Sequence, residues 1–388
     1  VIYTNFNLML KCQKPLFSLD ENVHYLNCAY KSPLLKNGEE MAKKALLSER
    51  NPFNLKPHSY FEISDEIRIE FSNIIHCHKN EIALFPSTSY GFANVFNNLK
   101  VTQVKAITVE NEFPSGFFSI KKWCLENEIM LQTLTRNELS AKDWNQKILD
   151  SIDEKTNVVF MSSVHWMDGT KFDIKKIGKK CKSVGAYFIV DGTQSVGAMN
   201  INVKEFNIDA LICAGYKWLF GPYGCGYGYF GSYFDDGTPI EENWSNRLNS
   251  ENLINLTNYE SNYKPLANRY SSGEHASFIY VKMQIAALKQ VLKWTPIAIQ
   301  TYCEDITRDA VIELQKMGCF IENPKDRTHH LFGVKLPEKL DINTLKKELT
   351  AAKIFISFRG KYIRLSCHVY NTKEDFNFLI ACIKTAMI

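Results

Sequence analysis

Residues 158–190 carry the sequence pattern from which the class of fold is predicted. It begins with the apolar run VVFM (residues 158–161), continues with a segment that repeats apolar residues every three or four positions among lysines (residues 174–184), and ends with the apolar run YFIV (residues 187–190). Short apolar runs are typical of buried strands, and the spacing of the middle segment is typical of a helix with one buried face. Gly185 stands where a helix commonly ends. The stretch therefore predicts a strand–helix–strand unit of a parallel sheet.

The same alternation predicts an α/β fold with a mostly parallel sheet. Further strands are expected at residues 106–109 and 210–213, and a long helix at 278–294. The pattern then changes to helices and strands of a smaller α+β lobe: helices at 302–317, 343–351 and 373–387, and strands at 331–336 and 362–366. We expect a large domain at 20–280, a small C-terminal domain at 281–388 and an N-terminal arm at 1–19. Residues 235–275, rich in polar side chains, are expected to form a long surface excursion of the kind that is usually functional.

Composition excludes several classes of protein. The chain has 388 residues, 45% of them hydrophobic and 23% charged, which is ordinary for a soluble protein of two domains. Lys and Arg number 46 against 42 Asp and Glu, without a basic block, so no nucleic-acid partner is expected. No run approaches the roughly 18 apolar residues of a membrane helix, and no basic leader is visible, which predicts no membrane association and a cytoplasmic location.

Cysteine and histidine usage predicts neither disulfides nor a metal site. The eleven cysteines are an odd number and include no CxxC pair, which favours a reducing compartment. Residues 76–78 (HCH) and 329–330 (HH) resemble metal-ligand runs, but adjacent side chains on an extended chain diverge, and we expect structural roles for both.

Asp191 and Lys217 are the candidate catalytic pair. Asp191 ends the apolar run in residues 187–194 (YFIVDGTQ), and in open α/β sheets ligands bind beyond the carboxyl ends of the strands. Lys217 lies in residues 214–226 (AGYKWLFGPYGCG), between an apolar run and a Gly-rich turn. Partial burial would lower its pKa and make its amine a nucleophile towards aldehydes. Either residue alone is equally well explained as a turn-capping acid or a surface lysine, but the joint pattern favours catalysis.

This block resembles the cofactor site of the class V branch of fold type I pyridoxal phosphate (PLP) enzymes, which contains cysteine desulfurases, kynureninases and isopenicillin N epimerases. The resemblance implies a fold type I homodimer in which Lys217 forms a Schiff base with PLP. It also implies that Asp191 pairs with the pyridinium nitrogen, so that the ring withdraws electrons, and that Gln194 contacts the phenolic oxygen. Tyr216, directly before the lysine, matches kynureninase and is expected among the cofactor contacts.

Other segments supply further cofactor contacts by the same resemblance. Residues 85–92 (FPSTSYGF) place hydroxyls before a helical pattern, which suits either a phosphate at a helix N-terminus or an ordinary helix cap. The resemblance assigns Thr88 and Ser89 to the phosphate. Residues 268–275 (NRYSSGEH) occupy the place of a phosphate contact donated across the dimer. Ser272 is our candidate there, although Glu274 departs from the family pattern.

Two segments resemble kynureninase in particular. In residues 112–115 (EFPS), Phe113 would lie against the cofactor ring; core packing is the alternative. In residues 161–169 (MSSVHWMDG), Ser162 would contact the cofactor, and His165 or Trp166 would face the substrate. A hydrogen-bonded core histidine beside a packed tryptophan explains the same pattern equally well.

Residues 358–372 resemble the segment that binds the substrate carboxylate. A guanidinium group matches a carboxylate at two points, which makes Arg364 the first candidate and Arg359 the second. A surface ion pair is the alternative for Arg364. Desulfurases carry a nucleophilic cysteine on a mobile loop before this arginine, but only residues 360–363 separate Arg359 from Arg364. No loop of that kind is expected.

The sequence thus predicts a PLP-dependent, class V aminotransferase-like enzyme that acts on an amino acid by transamination or lyase chemistry. Lys217 would also serve as general base at the substrate α-carbon. Kynureninase-like hydrolysis and epimerisation remain alternatives because they use the same residues. The alternative from another class is a catalytically inactive PLP-binding scaffold or regulator.

Overall fold

The computed structural model describes residues 10–56, 58–137, 140–360 and 362–387. Within these ranges the strands are β1 (His24–Tyr25), β2 (Ile82–Phe85), β3 (Lys105–Val109), β4 (Met130–Leu134), β5 (Thr156–Ser162), β6 (Tyr187–Asp191), β7 (Ala210–Ala214), β8 (Gly226–Phe230), β9 (Leu331–Lys335), β10 (Ile354–Phe355), β11 (Ser357–Arg359) and β12 (Tyr362–Ser366). The helices are α1 (Lys36–Ser48), α2 (Ser59–Ile75), α3 (Thr88–Asn98), α4 (Pro114–Glu126), α5 (Ala141–Ser151), α6 (Ile174–Val184), α7 (Phe278–Trp294), α8 (Pro296–Lys316), α9 (Ile342–Ala351) and α10 (Lys373–Thr385). In the described part of the chain, no helix combines the length and the apolar character needed to cross a membrane.

A seven-stranded sheet forms the centre of the large lobe, in the order β2-β8-β7-β6-β5-β3-β4. Strand β8 is antiparallel to both of its neighbours, and the other neighbouring pairs are parallel. The predicted strand–helix–strand unit is β5, α6 and β6, and Gly185 ends α6 in the left-handed conformation with φ of 75°. Every residue of β2, β3, β5, β7 and β8 is buried, as expected for a sheet covered on both faces.

The C-terminal lobe contains a three-stranded antiparallel sheet in the order β11-β12-β9. Helices α8, α9 and α10 pack together beside it. Strand β1 pairs in parallel with β10, so the chain near residue 24 joins this lobe although it precedes the large lobe in sequence. The predicted domain boundaries stay a prediction, and this pairing extends the N-terminal segment that contacts the small lobe beyond residue 19.

Helix α8 begins earlier than the sequence pattern indicated, at Pro296 instead of residue 302. Thr295 has φ of 65° and separates α8 from α7, and its hydroxyl oxygen accepts the N–H of Ala298 at 3.3 Å. Proline suits the first position of a helix, where its missing N–H removes no intrahelical bond. Pro296, two residues after the predicted end of α7, therefore starts the next helix.

The predicted long excursion, residues 235–275, contains only short 3₁₀ turns, at Trp244–Asn246, Leu253–Asn255 and Leu266–Tyr270.

The strand ends position the site. Ser162 of β5 pairs with Asp191 of β6, and Asp191 pairs with Ile212 of β7, so the carboxyl ends of these strands lie side by side.

Candidate active site

A cavity opens at the carboxyl ends of β5, β6 and β7. Its lining residues come from the strand ends, from the connections that follow them and from the start of α3: Thr88, Glu112, Phe113, Ser162, Trp166, Asp191, Thr193, Gln194, Ala214, Tyr216 and Lys217. Most of the residues expected to bind the cofactor are therefore brought together. Ser89, Ser272, His165, Arg359 and Arg364 are not among the lining residues.

Lys217 places a buried amine in this cavity. Lys217 is 6% exposed. Among the residues that the structure describes, its Nζ makes no hydrogen bond or ion pair. Burial lowers the pKa of Lys217 to about 8, against the opposing effect of the Asp191 carboxylate. The Nζ atom lies 5.6 Å from the ring centroids of both Phe113 and Tyr216. An amine with this pKa is a nucleophile near neutral pH.

Asp191 is held at the end of β6. Its Oδ1 accepts the backbone N–H of Thr193 at 2.9 Å, and its backbone oxygen accepts the N–H of Ser163 at 3.1 Å. Burial raises the pKa of the Asp191 carboxyl, and the Thr193 contact and the charge of Lys217 oppose that rise. A cationic ligand nitrogen in the cavity would favour the ionised carboxylate further.

Gln194 is fixed by hydrogen bonds at both ends of its amide. Nε2 donates to the backbone oxygen of Ala29 at 3.2 Å, and Oε1 accepts the indole N–H of Trp218 at 2.9 Å. Its backbone oxygen lies 2.8 Å from Nε2 of His330, a buried histidine of the small lobe. The amide NH₂ carries a second hydrogen, which leaves one donor for the expected contact with a phenolic oxygen.

The start of α3 forms one end of the cavity. Ser87 caps the helix, since its Oγ accepts the N–H of Tyr90 at 3.3 Å. Within the described residues, the N–H groups of Thr88 and Ser89 have no acceptor, as is usual for the first residues of a helix. Thr88 lines the cavity, whereas Ser89 is exposed. The helix cap and a phosphate site are thus compatible here.

Ser272 lies outside this cavity. It is buried, its N–H donates to the backbone oxygen of Leu84 at 3.0 Å, and its own backbone oxygen lies 2.6 Å from Nδ1 of His275. It lines a separate depression with Tyr90, Glu274 and other residues. Within one chain, Ser272 is therefore apart from Lys217.

Phe113 stands at the cavity and not in the core. It is the N-cap residue of α4, is 36% exposed, and meets the ring of Trp166 at 5.7 Å with perpendicular planes. Trp166 also lines the cavity, and its indole N–H donates to the backbone oxygen of Asn111 at 2.6 Å. Phe113 is therefore a cavity residue, and the alternative that it packs in the core is wrong.

His165 is a hydrogen-bonded core histidine, as in the alternative that the sequence left open. Its Nδ1 lies 3.1 Å from Oδ1 of Asp168, and its Nε2 lies 3.3 Å from the backbone oxygen of Glu110. Burial lowers its pKa, but the Asp168 carboxylate outweighs that effect and the net shift is upward. The ring packs against Trp144 at 5.4 Å. Of the two candidates for the substrate side, only Trp166 reaches the cavity.

Arg364 and Arg359 both contact Trp166, which lines the cavity. Arg364 is 2% exposed, its Nη1 donates to the backbone oxygen of Trp166 at 2.8 Å, and its Nε is buried without a partner among the described residues. The guanidinium of Arg359 lies 5.4 Å from the Trp166 ring centroid. Burial, together with the charge of Arg359, lowers the pKa of Arg364 to about 9. Neither guanidinium forms an ion pair with a carboxylate of the described chain, so the surface ion pair considered for Arg364 is not formed there.

The two arginines belong to one tight hairpin. Arg359 of β11 pairs with Tyr362 of β12, so residues 360–361 alone connect the strands, and Gly360 has φ of 56°. This geometry leaves no long loop between the arginines. Cys225, in the Gly-rich turn, has its pKa raised to about 12 by burial, which keeps the thiol protonated.

Sequence reasoning missed Glu112 and Thr193 as cavity residues. Both stand beside residues that it assigned, Phe113 and Gln194. An acid directly after a strand and its connection, as in residues 110–113 (ENEF), was a usable signal for Glu112. Thr193 offered no such signal, because its role in holding Asp191 and the N–H of Ala214 is a matter of turn geometry.

Fold and site together define an α/β enzyme with an activated lysine and a strand-end acid in a cavity at the sheet edge. The chain belongs to the aminotransferase class-V family, whose model matches residues 57–379. The predicted family and the fold type I architecture are thereby confirmed. Membership also confirms the expected class of activity, a PLP-dependent enzyme that acts on amino acids.

Several known proteins are similar over most of the chain. The uncharacterized aminotransferase YcbU of Bacillus subtilis is 25% identical over 328 residues, which cover 82% of each protein. An uncharacterized protein of Schizosaccharomyces pombe is 24% identical over 397 residues, covering 96% of this chain and 86% of the relative.

Solved structures show the same fold. A cysteine desulfurase from Thermococcus onnurineus NA1 superposes with a TM-score of 0.82 at 19% identity, covering 97% of this chain and 98% of that one. A mutant of C-DES with glycine covalently linked to its PLP cofactor gives a TM-score of 0.83 at 16% identity, covering 94% and 96%. At these identities the likeness concerns the architecture alone.

Proposed function

We propose that Lys217 binds PLP covalently and that the enzyme carries out transamination or lyase chemistry on an amino acid held by Arg364. The observation that carries the proposal is the buried Lys217 amine without a hydrogen-bond or ion-pair partner in the described chain, beside the buried Asp191 carboxyl. Burial of a lysine without a partner costs free energy of folding, and buried ionisable groups with shifted pKa values concentrate at functional sites.

The residues present fit PLP. Besides the Lys217 amine, the hydroxyl oxygen of Ser162 is buried in the wall without a hydrogen-bond partner. Unpartnered buried polar atoms are rare and indicate an absent ligand group or water. The free N–H groups at the start of α3, beside the Thr88 hydroxyl, suit the phosphate. Phe113 offers an aromatic face for the ring, while Asp191 and Gln194 suit its ring nitrogen and phenolic oxygen.

When bound, PLP supplies an electron-withdrawing ring that stabilises negative charge at the substrate α-carbon. Side chains of this protein would supply the remaining functions, which are control of the ring's charge and proton transfer. The Asp191 carboxylate would favour a protonated ring nitrogen by a charge-assisted hydrogen bond. The Lys217 amine would take the proton from the substrate α-carbon and hold it at Nζ, for which a pKa of about 8 is suited near neutral pH.

Arg364 is proposed to bind the substrate carboxylate, with Arg359 and Trp166 beside it. Support comes from the buried guanidinium of Arg364, which has an unpartnered Nε and no carboxylate partner in the described residues. A substrate carboxylate would supply the missing counter-charge.

The observations disfavour two competing functions. A non-catalytic scaffold would use Lys217 to bind PLP, but it has no use for the buried Arg364 guanidinium, which lacks a carboxylate partner in the described residues. Desulfuration requires a reactive cysteine near the substrate, but only two residues, neither of them cysteine, separate β11 from β12 in the sequence, and burial raises the pKa of Cys225. Kynureninase-like hydrolysis and epimerisation use the same residues and stay alternatives to transamination.

We further propose that the enzyme is a homodimer of the cytoplasm. Ser272, the candidate for a phosphate contact, lies outside the cavity of its own chain, which supports a contact donated to a second copy. Eleven free cysteines support a reducing compartment. Sedimentation of the purified protein tests the dimer.

A screen tests the proposed function. The protein, purified with PLP, is mixed with single amino acids while its visible spectrum is followed, and the product is identified. We expect one group of amino acids to shift the cofactor absorption and to yield a keto acid or an elimination product. A cofactor-loaded protein whose spectrum changes with none of the amino acids and that forms no product would support the non-catalytic scaffold instead.

A further inference from the structure

Two segments form one wall of the cavity: residues 110–113, which follow β3, and residues 162–168, which end and follow β5. They are joined at several points. Nε2 of His165 lies 3.3 Å from the backbone oxygen of Glu110, and the indole N–H of Trp166 donates to the backbone oxygen of Asn111 at 2.6 Å. These contacts hold Trp166 against the segment that carries Phe113.

The carboxyl group of Glu112 lies at the centre of this wall. Its Oε2 accepts the backbone N–H of Ser162 at 2.6 Å, and its Oε1 accepts the N–H of Phe113 at 3.1 Å. The residue is 5% exposed and lines the cavity. In the described chain, no lysine or arginine forms an ion pair with it. One buried carboxyl group therefore joins two residues that are both expected to contact the cofactor.

The backbone is turned to bring this acid inward. Asn111, directly before Glu112, has φ of 53°, in the left-handed region that asparagine tolerates better than most residues. Burial raises the pKa of Glu112, and the neighbouring Asp191 charge adds to that rise, whereas His165 opposes it. A buried acid at an unusual backbone turn is unfavourable by itself, and such features concentrate at functional sites.

We propose that Glu112 is a positioning residue of the cofactor site: by accepting the N–H groups of Phe113 and Ser162 together, it fixes the Phe113 ring and the Ser162 hydroxyl relative to the cofactor. The inference rests on the proposed PLP function. It assigns a role to a cavity residue outside the proposed catalytic set. The Phe113 ring meets Trp166 at 5.7 Å, and the backbone oxygen of Phe113 accepts the N–H groups of Gly116 and Phe117. Glu112 holds the N–H side of the same residue and so helps to fix the backbone from which this partly exposed ring projects.

The test is Glu112→Gln, which keeps size and shape but offers one acceptor oxygen where the carboxylate has two. One of the two N–H groups then faces the amide NH₂. Asp209→Asn is the matched control, since Oδ2 of Asp209 also accepts a strand N–H, that of Phe188 at 2.8 Å, at the end of β6 remote from Asp191. The readouts are the visible circular dichroism of bound PLP, which reports a fixed ring orientation, and the PLP dissociation constant.

We expect Glu112→Gln to lose at least half of the visible dichroism per bound cofactor and to raise the dissociation constant about tenfold, as for a weakened hydrogen bond to a charged acceptor. Asp209→Asn should change thermal stability alone. A cycle with Phe113→Leu should show non-additive losses, because both changes act on one ring. Should Glu112→Gln not fold, Glu112→Asp, which retracts the carboxylate by one methylene, is expected to give the same losses.

Wild-type dichroism and affinity in the Glu112 variants would overturn the inference, as would equal losses in Asp209→Asn. If the wild-type protein itself bound no PLP, the proposed function would fail and this inference with it. If the wild type binds PLP normally while the variants behave like the control, only the role of Glu112 is refuted.

Discussion

Arg364, in the small lobe, donates a hydrogen bond from Nη1 to the backbone oxygen of Trp166, in the large lobe, at 2.8 Å. The candidate carboxylate-binding residue is thereby fixed to the cavity wall. Since Gln194 is similarly held by His330 of the small lobe, at 2.8 Å, both lobes contribute to the positions of residues around Lys217.

Arg364→Lys should lower kcat/KM at least tenfold, chiefly through KM. Lysine keeps the charge but loses the planar two-point contact with a carboxylate and the bond to Trp166. Steady-state kinetics with the substrate from the screen measure the change. Arg308→Lys is the control, because Arg308 is exposed and only approaches Asp305 on its own helix at 3.5 Å. Unchanged KM in Arg364→Lys would refute the carboxylate assignment.

Asp191→Asn should keep the cofactor bound and slow α-proton abstraction at least about a hundredfold, the scale expected for loss of one preorganised charge contact. The asparagine still accepts the N–H of Thr193, so the turn should persist. Exchange of the substrate α-proton with deuterated solvent measures the step. Exchange at the parental rate would show that Asp191 is a structural strand-end acid.

The stability of the apoprotein should depend on pH through Lys217. Its pKa of about 8 in the folded chain is below the 10.5 of an ordinary lysine, so between these values the unfolded state binds more protons. Stability contributed by this group therefore rises with pH across that window, by up to about 3 kcal/mol. Urea denaturation of wild type and Lys217→Met at pH 7.5 and 10 (about these values) isolates the effect. An equal pH dependence in both proteins would contradict the lowered pKa.

Cys225→Ser and Cys367→Ser should retain activity. Cys225 directly precedes β8 and Cys367 directly follows β12, so neither lies on a long loop, and burial holds the Cys225 thiol protonated. Turnover of the identified substrate and mass spectrometry after addition of cysteine test the point. A persulfide trapped on either residue would restore desulfuration as a candidate function.

The sequence was sufficient where local pattern decides structure. The unit β5–α6–β6 could be predicted from the spacing of its apolar residues and from Gly185 at the helix end. The pair Asp191 and Lys217 could be predicted because each residue follows an apolar run that forms a strand. It was insufficient where tertiary contacts decide. The pairing of β1 with β10 joins residues far apart in the chain, and the orientation of His165 depends on Asp168 and the backbone of Glu110. Glu112 was overlooked although its position after β3 was a usable signal, because its hydrogen-bond partners are backbone N–H groups, which no residue pattern reveals.

The most direct test of the central claim is borohydride reduction of the PLP-loaded protein followed by peptide mapping. We expect the cofactor to be fixed to Lys217 alone, and Lys217→Ala to lose both the visible absorption and the label. A reduced cofactor attached to another lysine, or a reducible covalent link that persists in Lys217→Ala, would contradict the assignment of Lys217 and the mechanism proposed from it.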